Sequence, residues 1–122
     1  MSEASILRPS RNIQRWDVET DVLVVGLGCA GASAALEAVD AGADVVVVER
    51  GSAGGGTSAN SGGVIYLGGG TPVQKDCGFE DSPEEMFKYL MAACGSHRDH
   101  TKIRAYADDS VAQYHWLVEH GV

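Results

Sequence analysis

The sequence predicts an α/β fold: a strand–helix–strand (βαβ) unit, then a glycine-rich loop, then two helices. Three observations carry that reading. Two continuous apolar runs, "DVLVVG" from Asp21 and "ADVVVVE" ending at Glu49, flank an alanine-rich stretch. Nine of the sixteen glycines crowd between Gly51 and Thr71, directly after the second run. Beyond them, Ser82-Pro83 and Asp99 each open a segment with apolar residues at helical spacing.

Neither apolar run alternates with polar residues, so both faces of each strand are expected to be covered, as in a parallel sheet. Between the runs, "CAGASAALEAVDAG" reads as helix, with Gly42 suited to its C-terminal end. From Asp21 to Glu49 the chain has the roughly 30 residues that such a unit takes. Within the glycine-rich stretch "VIYL" reads as one short strand, and "TPVQKDCGFED" reads as loop. Ser82 then serves as N-cap, Pro83 takes the first helical position and Glu85 completes a capping box. Phe87, Leu90, Met91 and Cys94 share one face of this helix, and Gly95 stops it. From Asp99 onward the apolar stripe is Ile103, Tyr106, Ala107, Val111, Tyr114, Leu117 and Val118, with Gly121 as the cap. There is no internal repeat.

A chain of 122 residues suits one domain. Its formal charge of −8 argues against nucleic acid or an anionic membrane surface as the main partner. No run is long and apolar enough to span a bilayer. Residues 1–15 read as a flexible, weakly basic leader without a signal-peptide apolar core or a twin-arginine pair. Cys29, Cys77 and Cys94 are odd in number and lack metal-ligand spacing, which points to a reducing cytoplasm. Each is expected to be a small buried thiol. His97 and His100 in "HRDH" are two candidate ligands without the rest of a tetrahedral set. His115 and His120 are expected on the solvent side of the last helix.

The chemistry lies in the turn after the first strand. Gly26, Gly28 and Gly31 spell G-x-G-x-x-G, a weak signal alone but here set between a strand and a helix. Gly26 permits the tight turn, Gly28 lets backbone approach a pyrophosphate, and Gly31 lets the helix pack close to the strand. The helix N-terminus offers unpaired N–H groups to an anion. Glu49, about 20 residues on, accepts hydrogen bonds from adenosine ribose hydroxyls and disfavours a 2′-phosphate. Cys29, inside the turn, is read as a filler whose backbone faces the ligand. The motif alone does not separate FAD from NAD. The small, hydroxyl-rich "GGGTSANSGG" that follows suits a ligand long enough to touch the chain a second time, which favours FAD.

"DVLVVGLGCAGASAALEAVDAGADVVVVER" followed by "GGGTSANSGG" resembles the FAD domain of the fumarate reductase/succinate dehydrogenase flavoprotein superfamily. The next stretch, "GGVIYLGGGTPVQKDCGFEDSPEEMFKYLMAACG", is similar to 3-oxo-5α-steroid 4-dehydrogenase-like enzymes within it. The resemblance implies a Rossmann-like FAD-binding unit, with residues 16–122 as the N-terminal portion of the FAD domain of a larger two-domain flavoenzyme. It implies that Gly26, Gly28 and Gly31, with Cys29 and Ala30 between them, hold the pyrophosphate region and that Glu49 holds the ribose. Arg50 lies near the adenine by the same comparison. Gly56, Thr57, Ser58 and Ser61 contact pyrophosphate or flavin, and Gly62 and Gly63 run against the isoalloxazine. Succinate dehydrogenases carry a flavin-linking histidine where Gly56 stands, so the FAD is expected to be noncovalent. The implied reaction dehydrogenates a carbon–carbon bond beside the ketone of a 3-oxosteroid, hydride passing to the flavin while a side-chain base takes the neighbouring proton. No residue here maps onto that base, Tyr66, Tyr89, Tyr106 and Tyr114 included, and the electron acceptor is unidentified. A fumarate- or urocanate-type reductase of the same superfamily and an inactive nucleotide-binding fragment are the alternatives.

Overall fold

The computed structural model describes residues 9–122, which form two compact units, one ending at Gly63 and the other spanning Val64–Val122. Residues 1–8 of the expected leader lie outside the described residues; the remainder of it holds one 3-10 turn at Ser10–Asn12.

In the first unit, strand β1 (Val22–Val25) pairs in parallel with strand β2 (Val45–Val48), from Val22 opposite Val45 to Val25 opposite Val48. Helix α1 (Cys29–Asp40) connects them. Valine suits this pairing because its branched Cβ restricts χ1 and packs well on a pleated surface. The start of the ladder is pinned by side chains. The Asp21 carboxylate accepts the Asp44 amide at 3.0 Å, and the Thr20 hydroxyl donates to the Asp44 carbonyl at 2.6 Å. The expectation of two covered strand faces is not met. Val24 is buried, but Leu23 and Val25 are 58% and 80% exposed. Successive side chains point to opposite faces of a sheet, and α1 covers only the Val24 face.

In the second unit, the expected "VIYL" strand is absent: residues 64–67 are irregular. The stretch read as loop instead contains α2 (Pro72–Asp76), opened by a complete capping box between Thr71 and Gln74. Helices α3 (Pro83–Ala93) and α4 (His100–Glu119) follow as expected, capped by Ser82 and Asp99. The capping box predicted for α3 forms only by half. Ser82 Oγ accepts the Glu85 amide at 3.2 Å, but the Glu85 carboxylate pairs with Lys88 Nζ at 2.7 Å. The Ser82 amide turns to Asp81 Oδ1 at 2.8 Å. Arg104 ties α4 to α3, reaching Glu84 and Asp108 while its guanidinium lies 4.4 Å from the centre of the Phe87 ring.

The core of this unit holds Met86, Ala107, Thr71 and Ser110. Gly68 to Gly70 are buried with Thr71, and a side chain takes each of their amides. Gly68 donates to Ser110 Oγ at 2.9 Å, Gly69 to Asp81 Oδ2 at 2.8 Å, and Gly70 and Thr71 both to Gln74 Oε1 at 3.0 Å. Two expectations fail on packing. All three cysteines are exposed: Cys29 opens α1, and Cys77 and Cys94 are the C-caps of α2 and α3. His120 is half-buried rather than solvent-facing, stacked on Trp116 with ring centres 4.1 Å apart.

Candidate functional site

The candidate site lies in the first unit, at the carboxyl ends of β1 and β2, where ligands of open α/β sheets bind. Gly26 leaves β1 with φ +97°, a left-handed conformation that glycine adopts without steric cost, and its amide donates to the Val48 carbonyl at 2.7 Å. Gly31 is required by packing. A Cβ there would overlap the Gly26 carbonyl oxygen and lie 3.0 Å from its carbon and 3.3 Å from Val24 Cγ1. Gly28 differs: an added Cβ would meet only the Gly55 carbonyl oxygen, at 3.9 Å. Packing within the protein therefore leaves room for a side chain at Gly28.

Leu27 is bonded on both sides. Its amide donates to Glu49 Oε2 at 2.7 Å, and its carbonyl accepts the Gly55 amide at 2.5 Å. Glu49 Oε1 accepts the Gly51 amide at 2.7 Å. These donors, Gly51 first and then Leu27, hold the Glu49 carboxyl below its ordinary pKa and so keep it ionised at neutral pH. Val25, Gly26, Val48, Glu49 and Arg50 line an open concavity of about 550 Å³. Arg50, like Ala30, is exposed.

The glycine-rich chain returns to the same turn. Gly28 and Gly55 form an isolated parallel bridge, and residues Gly56–Asn60 wind into a 3-10 helix. Ser58 Oγ accepts the Cys29 amide at 3.3 Å. A Cβ on Gly56 would touch only Gly28 Cα at 3.6 Å, and Cβ atoms on Gly62 or Gly63 would meet nothing within 4 Å. Thr57 and Ser61 are exposed, and Ser61 Oγ accepts the Gly63 amide at 3.2 Å. The geometry thus brings together the Gly26–Gly31 turn, Glu49 and the Gly55–Ser58 segment. It offers bare backbone, a helix N-terminus and an ionised carboxylate, the groups that a dinucleotide's phosphates and ribose require. FAD fits this donor set.

Residues 21–122 match the family model of the FAD binding domain. The chain belongs to that family. FAD is accordingly the cofactor of this FAD-binding chain. It is 40% identical over 107 residues to the 3-oxo-5-alpha-steroid 4-dehydrogenase of Comamonas testosteroni, covering 88% of this chain and 20% of that protein. It is 37% identical over 108 residues to the acrylate reductase flavoprotein subunit of Shewanella woodyi, covering 88% of this chain and 21% of that one. A crystal structure of 3-ketosteroid-delta4-(5alpha)-dehydrogenase from Rhodococcus jostii, in complex with 4-androstene-3,17-dione, superposes with a TM-score of 0.85 at 54% identity, covering 94% of this chain and 24% of that one. The FAD-binding chain therefore spans about a fifth of the length of the curated relatives it matches.

Residues outside the predicted set also shape the glycine-rich stretch. Asp81, Gln74 and Ser110 occupy the amides of Gly68–Gly70, so the last three glycines serve the second unit's own packing. Part of that signal was readable. Thr71-Pro72 with Gln74 at the third helical position spells a capping box, and Ser110 sits at helical spacing from Ile103 and Ala107. No helix among the described residues is long and apolar enough to cross a membrane.

Proposed function

We propose that this chain supplies the N-terminal portion of the FAD domain of an oxidoreductase that dehydrogenates a 3-oxosteroid at a carbon–carbon bond beside the ketone. The observation that carries the substrate class is the 54% identity, over 94% of the chain, to a solved 3-ketosteroid dehydrogenase in complex with a 3-oxosteroid. The glycine-rich loop is read as a cofactor cradle: Gly26, Gly28, Cys29, Ala30 and Gly31 face the pyrophosphate, Glu49 binds the ribose, and Arg50 borders the adenine. Gly56, Thr57, Ser58 and Ser61 contact the pyrophosphate or the flavin, and Gly62 and Gly63 back the ring system. When bound, the flavin supplies the two-electron redox chemistry. This chain's residues bind and orient it; the base that takes the substrate proton lies among residues this chain does not contain. Gly56 stands where a covalently linking histidine would be, so the FAD is held noncovalently. The exposed, unpaired thiols of the described residues fit a reducing cytoplasm.

The whole protein carrying this chain, incubated with a 5α-3-oxosteroid and an artificial electron acceptor, is expected to reduce the acceptor and yield the 4-ene product. Acid precipitation is expected to leave the yellow colour in the supernatant; colour in the pellet would refute noncovalent binding. A second reading, a reductase of the same superfamily, rests on the likeness to the acrylate reductase subunit. It predicts oxidation of a reduced dye by an α,β-unsaturated carboxylate and no turnover of steroid.

A further inference from the structure

Helix α1 begins without a cap of its own. Its N-cap residue is Gly28, which has no side chain to accept a first-turn amide. One orphan amide of the first turn, that of Cys29, is met from 29 residues further along, by Ser58 Oγ at 3.3 Å. Two further contacts bring Ser58 there. The Gly55 amide donates to the Leu27 carbonyl, and Gly56 lies so close to Gly28 that a Cβ on it would be 3.6 Å from Gly28 Cα. The winding of residues 56–60, with the Ala59 amide donating to the Gly55 carbonyl at 3.2 Å, then turns the Ser58 side chain back onto α1.

We infer that Ser58 is a positioning residue for FAD, capping the first amide of α1 from outside the helix and locking the glycine-rich loop onto the first turn of α1 before the cofactor arrives. This inference rests on the reading of that turn as the pyrophosphate site. A side chain at position 28 would cap the helix but fill the space where phosphate must approach. A cap delivered from the second pass satisfies the amide and leaves Gly28 bare. A hydroxyl has one donor and two acceptor positions. Ser58 therefore accepts from Cys29 and keeps its own proton for an anion, which extends the helix N-terminus by one polarised O–H. The two backbone segments that face the cofactor are thereby ordered in the apoprotein, and less ordering is left for binding to accomplish.

The test compares wild type, Ser58→Ala and Ser58→Thr in the whole protein carrying this chain. Amide hydrogen exchange of residues 28–32 in the apoprotein reads the cap directly, without cofactor or turnover. Ser58→Ala is expected to speed that exchange and weaken FAD binding about tenfold, the scale of one hydrogen bond to a charged group. Ser58→Thr, which keeps the hydroxyl, is expected to restore both. Weaker FAD binding by Ser58→Ala with unchanged exchange would make Ser58 a direct ligand alone and overturn the inference. Unchanged exchange and unchanged affinity would overturn it as well. If the wild-type whole protein takes up no FAD, the cofactor reading fails, whereas exchange in the apoprotein still decides the cap.

Discussion

Glu49 and Leu27 meet through a 2.7 Å hydrogen bond from the Leu27 amide to Oε2, although 22 residues separate them in the chain. The other carboxylate oxygen accepts Gly51, so one side chain ties the turn after β1 to the chain leaving β2. A carboxylate offers about four lone-pair positions. The Leu27 and Gly51 amides occupy two of them, and in the proposed site ribose hydroxyls meet what remains.

Glu49→Ala is therefore expected to weaken FAD binding by at least an order of magnitude, since a charged acceptor and the shape of the turn are lost together. Glu49→Gln, with one acceptor oxygen left, should fall between. Titration of the apoprotein with FAD, followed by flavin fluorescence, measures both. A dissociation constant equal to wild type in Glu49→Ala would remove Glu49 from the site.

Acid should loosen the same turn. The Gly51 and Leu27 amides lower the Glu49 pKa from its ordinary 4.5. A carboxyl whose folded-state pKa is depressed contributes stability that is complete above its unfolded value and is lost as pH falls through the folded one. The melting temperature of wild-type apoprotein should exceed that of Glu49→Gln at pH 7, and the gap should close as pH drops below 4.5. Asp81 and Asp99 are depressed in the same direction and titrate in both proteins, so the difference isolates Glu49. A gap that persists unchanged at pH 3 would contradict the assignment.

Gly31 and Gly28 should separate folding from binding. Alanine at position 31 gains helix propensity of up to about 1 kcal/mol. Its Cβ nevertheless overlaps the Gly26 carbonyl, which is backbone and cannot yield cheaply. Gly31→Ala is expected to destabilise the chain by roughly 1–3 kcal/mol, the usual range for overpacking. Gly28→Ala meets only an ordinary contact at 3.9 Å and should melt like wild type while losing FAD affinity. Thermal melts paired with FAD titrations read both. Equal behaviour of the two variants would show that the glycines are not divided in this way.

Ser110→Ala should act on the second unit. Ser110 is 1% exposed and is the acceptor for the Gly68 amide, itself buried. Removing the hydroxyl leaves that amide unpaired at a cost of about 1–3 kcal/mol. Urea denaturation should record a lower midpoint. A midpoint within error of wild type would mean that water or another group takes the amide.

The sequence by itself determined the elements whose causes are local. Unbroken apolar runs set the strands, Ser82-Pro83 and Asp99 set the helix starts, and G-x-G-x-x-G with Glu49 marks the candidate site. Each depends on residues within a turn or two, or on a spacing that the βαβ connection imposes. Only the tertiary structure decided how the nine crowded glycines divide: Gly55 and Gly56 lie against the Leu27–Gly28 turn and the others up to Gly63 are exposed, while Gly68–Gly70 are buried, their amides taken by Ser110, Asp81 and Gln74. The same holds for the Ser58 cap and the three exposed thiols. The reason is physical. A backbone amide can be satisfied by any acceptor that packing brings within about 3 Å, and a thiol is buried only if another element crosses it. Partners 29 or 42 residues away leave no local periodicity to read.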